Sequence, residues 1–310
     1  MSVTLTEIEE KILSREINVG NEVLYTLCKD YPLLKENYPE DMNERRRLQG
    51  LAAELWLIGR SYAASPERRD YGEKIEWTNS GNGLDTYFDL LAEKLWSDEY
   101  YNELKSIVEN LKKLGKYKFD PSSEENDKNI LVAVIINVLK FNALLKEIRY
   151  AVDENELLRH VGEDNDKLEI LKNNQKNMLS FSSKFLHFHF PDVVFIIDTI
   201  TMEHFKGPRG IHHFKFEKAN GELEGSITFS KEEMNEMISN VSKLKYNDDS
   251  IEIGKYDKAE EYITHCVREY LLAREIKNAS PKIFDGEGIH IPRLIDTYML
   301  MTNPKTKKEE

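Results

Sequence analysis

Apolar residues recur at helical spacing along most of this chain, and that period predicts a run of helices. Leu5, Ile8, Ile12 and Leu13 form one stripe over residues 4–18, with Thr4 or Thr6 as a cap. Val23, Leu24 and Leu27 carry a second helix toward Pro32. Leu48, Leu51, Ala52, Leu55, Trp56 and Ala63 define a long helix over 43–64, and Ser65-Pro66 stops it. The pattern returns at 84–96 and at 98–114, the latter ending at Gly115. Ile130–Arg149 is apolar enough for a buried central helix, and 153–161 and 164–190 read as further helices up to Pro191. Helices are expected again at about 230–243, 257–277 and 291–302, the last with Pro292 near its start.

The period changes to two only at 213–229. There His213-Phe214-Lys215-Phe216 and Ser226-Ile227-Thr228-Phe229 flank Asn220-Gly221, a good turn pair. The expected class is therefore mainly α with a small inserted β-hairpin. The polar stretch 120–128 is the best internal boundary, dividing an N-terminal helical lobe (1–120) from a second helical lobe (121–303). Residues 304–310 are charged and read as a disordered tail. No internal repeat is visible.

Length and composition change this picture little. A chain of 310 residues has ample material for a core. No apolar run approaches the roughly 20 residues needed to span a bilayer. With only Cys28 and Cys266 present, neither a disulfide framework nor a cysteine zinc site is expected. A reduced, cytoplasmic setting follows, with no cofactor and no metal. The net charge of −13 argues against a surface that attracts nucleic acid throughout. It leaves room for a local basic patch at Arg45, Arg46, Arg47, Arg60, Arg68 and Arg69.

Candidate chemistry gathers in 180–206. The apolar run Val193-Val194-Phe195-Ile196-Ile197 must be buried, and Asp198 follows it directly. A carboxylate there is costly unless it is paired, hydrogen-bonded or used in chemistry. Asp198 also fits the N-cap of a following helix, a position that holds a carboxylate in place and keeps it ionised. Lys184 lies on the preceding helix, where the reading is either a solvated surface lysine or an amine held near a sugar carbon. His187 and His189 differ by two and point apart on a helix, so they cannot jointly chelate a metal. They are expected to be packed or hydrogen-bonded, flanking the site as substrate-binding candidates. A second group, Trp56, Arg60, Tyr62, Arg68 and Arg69, reads either as an amphipathic helix with a basic end or as a ligand wall. In the latter, Trp56 and Tyr62 stack on a base and the arginines hold phosphates.

The segment Phe195-Ile196-Ile197-Asp198-Thr199-Ile200-Thr201 resembles the active-site region of helix-hairpin-helix DNA glycosylases. In that family a short apolar segment leads to the catalytic aspartate just before a helix, in a pattern of the type Pro-Val-Asp-Thr-His-Val. Bifunctional members carry a lysine on the preceding helix. The resemblance covers about residues 155–206 and puts Asp198 in the aspartate position, with Lys184 as the lysine candidate.

It implies a two-lobed helical fold and a DNA partner whose modified or damaged base is flipped into a pocket for excision. Asp198 would stabilise the charged sugar, and Arg68 and Arg69 would hold the DNA backbone. The inserted hairpin would shape a pocket for an unusual base, in a bacterial or phage-defence role. Two other readings stay open: an N-glycosidase or hydrolase of free nucleotides, which suits the charge better, and a non-enzymatic helical interaction protein with Asp198 as a cap only.

Overall fold

A computed structural model describes residues 19–61, 84–116, 119, 124–161, 164–173, 177–197, 213–217, 223–228, 231–243, 245–246, 249–250, 256–279 and 290–302. The expected helix at 4–18, the Asn220-Gly221 turn and the tail at 304–310 lie outside these residues. The described chain is mainly helical. Its helices are α1 (Val19–Asp30), α2 (Glu44–Ser61), α3 (Leu84–Leu95), α4 (Tyr101–Leu114) and α5 (Glu124–Val161), then α6 (Asn165–Asn173) and α7 (Leu179–His189). After two strands follow α8 (Lys231–Lys243), α9 (Ala259–Ala279) and α10 (Ile291–Thr302). Strand β1 (His213–Glu217) pairs antiparallel with β2 (Leu223–Thr228), with His213 opposite Thr228 and an irregularity between Phe216 and Glu217. A two-residue pair, β3 (Lys245–Tyr246) and β4 (Asp249–Ser250), lies between α8 and α9.

Local chemistry sets several helix ends. The Asn43 side chain accepts the Arg46 backbone N–H at 2.8 Å, capping α2. Asp164 does the same for Lys167 at 3.2 Å in front of α6, and that bond holds its carboxyl below the usual range. Asn177 accepts the Leu179 N–H at 2.7 Å and starts α7 afresh. The single helix expected over 164–190 is thus two. At the other end Pro191 disfavours helical geometry at Phe190, and the Val193 and Val194 N–H groups turn back to the Phe190 carbonyl.

The central helix is longer than its apolar segment. α5 begins inside the polar stretch expected as a connection, because Asp127 is buried and accepts the Tyr270 hydroxyl at 2.8 Å. A long-range partner removes the cost of burying that carboxylate. Nor does the helix break near residue 150, where buried Arg149 and Asp153 form an i,i+4 ion pair at 3.6 Å. Every residue from Leu131 to Leu139 is buried, as in a helix surrounded by core. Its stretch Asn126–Asn155 is long and apolar enough to cross a bilayer by length and composition alone, where no such run was expected; 72% of its most apolar window is buried within the protein, as in the core helix of a globular unit.

The chain divides into two compact units, each discontinuous in sequence. One comprises 24–111 and 137–189; the other comprises 1–23, 112–136 and 190–310. In the first, α2 packs against both α3 and α7. The segment between α1 and α2 is tied down by the Trp96 indole, which donates to the Leu33 carbonyl at 2.9 Å. In the second, α9 packs against α8 and α10.

Candidate functional site

Helix α7 is enclosed by the protein along most of its length. Every residue from Phe181 to Phe188 is buried, including Ser182, Ser183 and Lys184. Phe185 stacks between Phe141 and Phe181, with ring centroids 5.7 and 5.6 Å away. The solvated reading of Lys184 is therefore corrected: it is 3% exposed, and its amine donates to the Ser180 hydroxyl one turn back at 3.3 Å. Long charged side chains are seldom buried this fully, and they require partners when they are.

His187 and His189 point to different neighbours, as their spacing requires. The His187 ring is fully buried, with Nε2 2.8 Å from the Tyr25 hydroxyl and the ring edge-on to Phe188. His189 turns to α2, where its Nε2 lies 3.3 Å from Glu54 Oε2. That separation is an ion-pair distance without hydrogen-bond alignment, so neither Glu54 oxygen receives a hydrogen bond although Glu54 is 0% exposed. Burial pushes the Glu54 carboxyl upward, partly offset by the imidazole. Cys28 on α1 completes the group; its thiol is pushed well up by burial and by the nearby Glu54 charge. The ligating atoms of Cys28, Glu54 and His189 all lie within 4.8 Å of one another.

Trp56 and Arg60 share the outer face of α2, one turn apart. Trp56 is 41% exposed and Arg60 is half-buried. On a helix, positions two apart diverge, so Trp56 points away from the side on which Glu54 meets α7. Tyr62, Arg68, Arg69 and Asp198 lie outside the described residues. A groove of about 430 Å³ in the same unit as α2 and α7 is lined by Lys94, Glu99, Tyr100, Glu147, Tyr150 and Glu154. Three carboxylates there disfavour a phosphate backbone.

In the other unit, the run leading to Asp198 is buried from Val193 to Ile197 yet belongs to neither helix nor strand. Side chains of α9 supply hydrogen bonds that a ladder would otherwise give. The Tyr262 hydroxyl donates to the Phe195 carbonyl at 3.0 Å, and His265 Nε2 meets the Ile196 carbonyl at 2.8 Å. A carbonyl can only accept, so the Nε2 tautomer carries the proton. Glu269 stands 3.0 Å from the same nitrogen. Phe195 packs on Phe119, which in turn meets Tyr270 edge-on. Just upstream, Asp192 pairs with His290 at 2.8 Å.

Glu54, Cys28, Tyr25, Tyr262 and His265 escaped the sequence reading. One signal existed for Glu54, which shares the face of Leu51, Leu55 and Ile58, an apolar stripe where a carboxylate is out of place. Cys28 and His265 carry no local signal, because their partners are far away in sequence. Compared with protein-family models, curated proteins and solved structures, the chain matches none.

Proposed function

We propose that the chain is an N-glycosidase that releases a modified or damaged base flipped out of DNA. The observation that carries this reading is the anchoring of the segment that feeds Asp198. The Phe195 and Ile196 carbonyls are each held by a buried side chain of α9, so the chain is fixed to within two residues of the acid. A catalytic carboxylate must be held in place before the reaction, since reorganisation during it would add to the barrier.

In the reaction the bond between sugar C1′ and the base nitrogen breaks, and the electron pair leaves with the base. Asp198 stabilises the positive sugar and takes the proton from the attacking water, whose oxygen forms the new bond to C1′. The base is then protonated from solvent. Lys184, buried on α7, is the candidate for an amine nucleophile. Trp56 and Arg60 offer an exposed aromatic face and a cation one turn apart, fit for a base and a phosphate. Tyr62, Arg68 and Arg69 extend that basic end by sequence. A cytoplasmic setting belongs to the proposal, both cysteines being free thiols.

The net charge of −13 favours a second reading, the same bond cleavage on free nucleotides, which needs no DNA-binding surface. Incubation with duplexes carrying different modified bases, and separately with mononucleotides, separates the two when released base is read by mass spectrometry. The proposal expects release from duplex that stops in Asp198→Asn while the fold is retained. Release from mononucleotides alone would select the second reading. Undiminished release in Asp198→Asn, or none from any substrate, would overturn both.

A further inference from the structure

The group at Cys28, Glu54 and His189 takes no part in the bond cleavage proposed above, and its composition is unusual for a core. Three residues from α1, α2 and the last turn of α7, remote in sequence, bring one thiol, one carboxylate and one imidazole to a single point. Their ligating atoms lie within 4.8 Å of one another. Glu54 is 0% exposed and neither of its oxygens receives an aligned hydrogen bond; the His189 imidazole at 3.3 Å offsets only part of that burial. A carboxylate buried in that state is a cost that a bound cation would remove. We propose that Cys28, Glu54 and His189 form a binding site for a zinc-class divalent cation.

The donor set points to that class. Sulfur and imidazole nitrogen suit zinc, and magnesium and calcium prefer oxygen donors alone. A thiolate and a carboxylate together balance the two positive charges of the ion. In a tetrahedral site, ligand atoms about 2.0–2.3 Å from zinc stand roughly 3.3–3.7 Å apart. The 3.3 Å between Glu54 Oε2 and His189 Nε2 already has that length. A fourth position is left for water or another oxygen.

A thiol nucleophile is the competing use of such a trio. It requires an accessible thiolate, whereas Cys28 is 5% exposed. As a metal site the trio joins α1, α2 and α7, and it takes His189 out of the substrate-binding group.

Cobalt chloride is the probe, added to the full chain after stripping with chelator. The expected result is a thiolate-to-cobalt charge-transfer band that saturates at one equivalent and is displaced by zinc. Cys28→Ala should lose that band, and Glu54→Gln and His189→Ala should weaken zinc binding by more than about 100-fold. Cys266→Ala and Trp56→Ala should leave it intact. A wild-type protein that takes up no cobalt with a thiolate band overturns the proposal, whatever the variants do, and so does a band that survives in Cys28→Ala. Base release is not part of the readout, so this result and that of the N-glycosidase test stand apart.

Discussion

Cys28 and Cys266 each sit in a buried group containing a histidine and a glutamate, yet the two groups are built in different ways. Around Cys266, Tyr262, His265 and Glu269 all come from two turns of α9. Tyr262 and His265 hold the carbonyls of Phe195 and Ile196, and Glu269 stands 3.0 Å from His265. Around Cys28, donors from three separate helices converge within 4.8 Å, and Glu54 stands 3.3 Å from His189. Each glutamate is thus paired with an imidazole, but one group is a clamp from a single helix onto a neighbouring segment and the other a convergence of three helices. What separates them is where the side chains come from and what they hold, not which side chains are present.

His265→Ala removes the bond to the Ile196 carbonyl and strips Glu269 of its imidazole in a fully buried place. Urea denaturation should show a loss of about 3–5 kcal/mol, since breaking one partner of a buried pair leaves the other uncompensated. A loss below 1 kcal/mol would mean the clamp does not hold the run, and the anchoring argument for Asp198 would fall with it.

Next in size is Gly50→Ala, one turn before Glu54. A Cβ there would stand 1.9 Å from the Tyr31 ring, so the ring lies directly on the helix backbone. Helix propensity alone would reward alanine by about 1 kcal/mol. Overpacking should win, with a net loss of about 1–3 kcal/mol. Stabilisation instead would show that Tyr31 moves freely, and the packing beside the Cys28 group would be looser than described.

The smallest effect belongs to a surface group of similar chemistry. Glu36 accepts from Lys105 and Tyr101, and these bonds lower its carboxyl to about 2. Both side chains of the ion pair are more than a third exposed, so solvent screening limits it to below about 1 kcal/mol. The folded state holds this proton less readily than the unfolded chain does. Its contribution is therefore present above about pH 4.5 and fades as pH falls toward about 2. Glu36→Gln should be slightly less stable than wild type at neutral pH and equal to it at the acid end. A difference that grows on acidification would reverse the sign and refute the assignment.

The helices themselves were largely legible, because apolar stripes at helical spacing need no knowledge of the partner. The expected 43–64 appears as Glu44–Ser61, and 98–114 as Tyr101–Leu114. What the pattern missed depends on residues far away. Asp127 reads as part of a polar connection until Tyr270 is seen to donate to it. Lys184 reads as a surface residue because an isolated amphipathic helix has a solvated face, whereas α7 is enclosed on all sides. His189 was weighed against His187, its neighbour in sequence, but its partners in space are Glu54 and Cys28. Ligand spacing carries a signal only when the ligands share one element, and here they share none.

The contrast between the two cysteine groups is tested most directly by zinc-dependent unfolding of the wild type, Cys28→Ala and Cys266→Ala in urea. A ligand held by the folded state alone raises stability by about 2.7 kcal/mol at a hundred times its dissociation constant. The account predicts a zinc-induced rise of the unfolding midpoint in the wild type and in Cys266→Ala, and none in Cys28→Ala. A rise that persists without Cys28, or that disappears without Cys266, would contradict it.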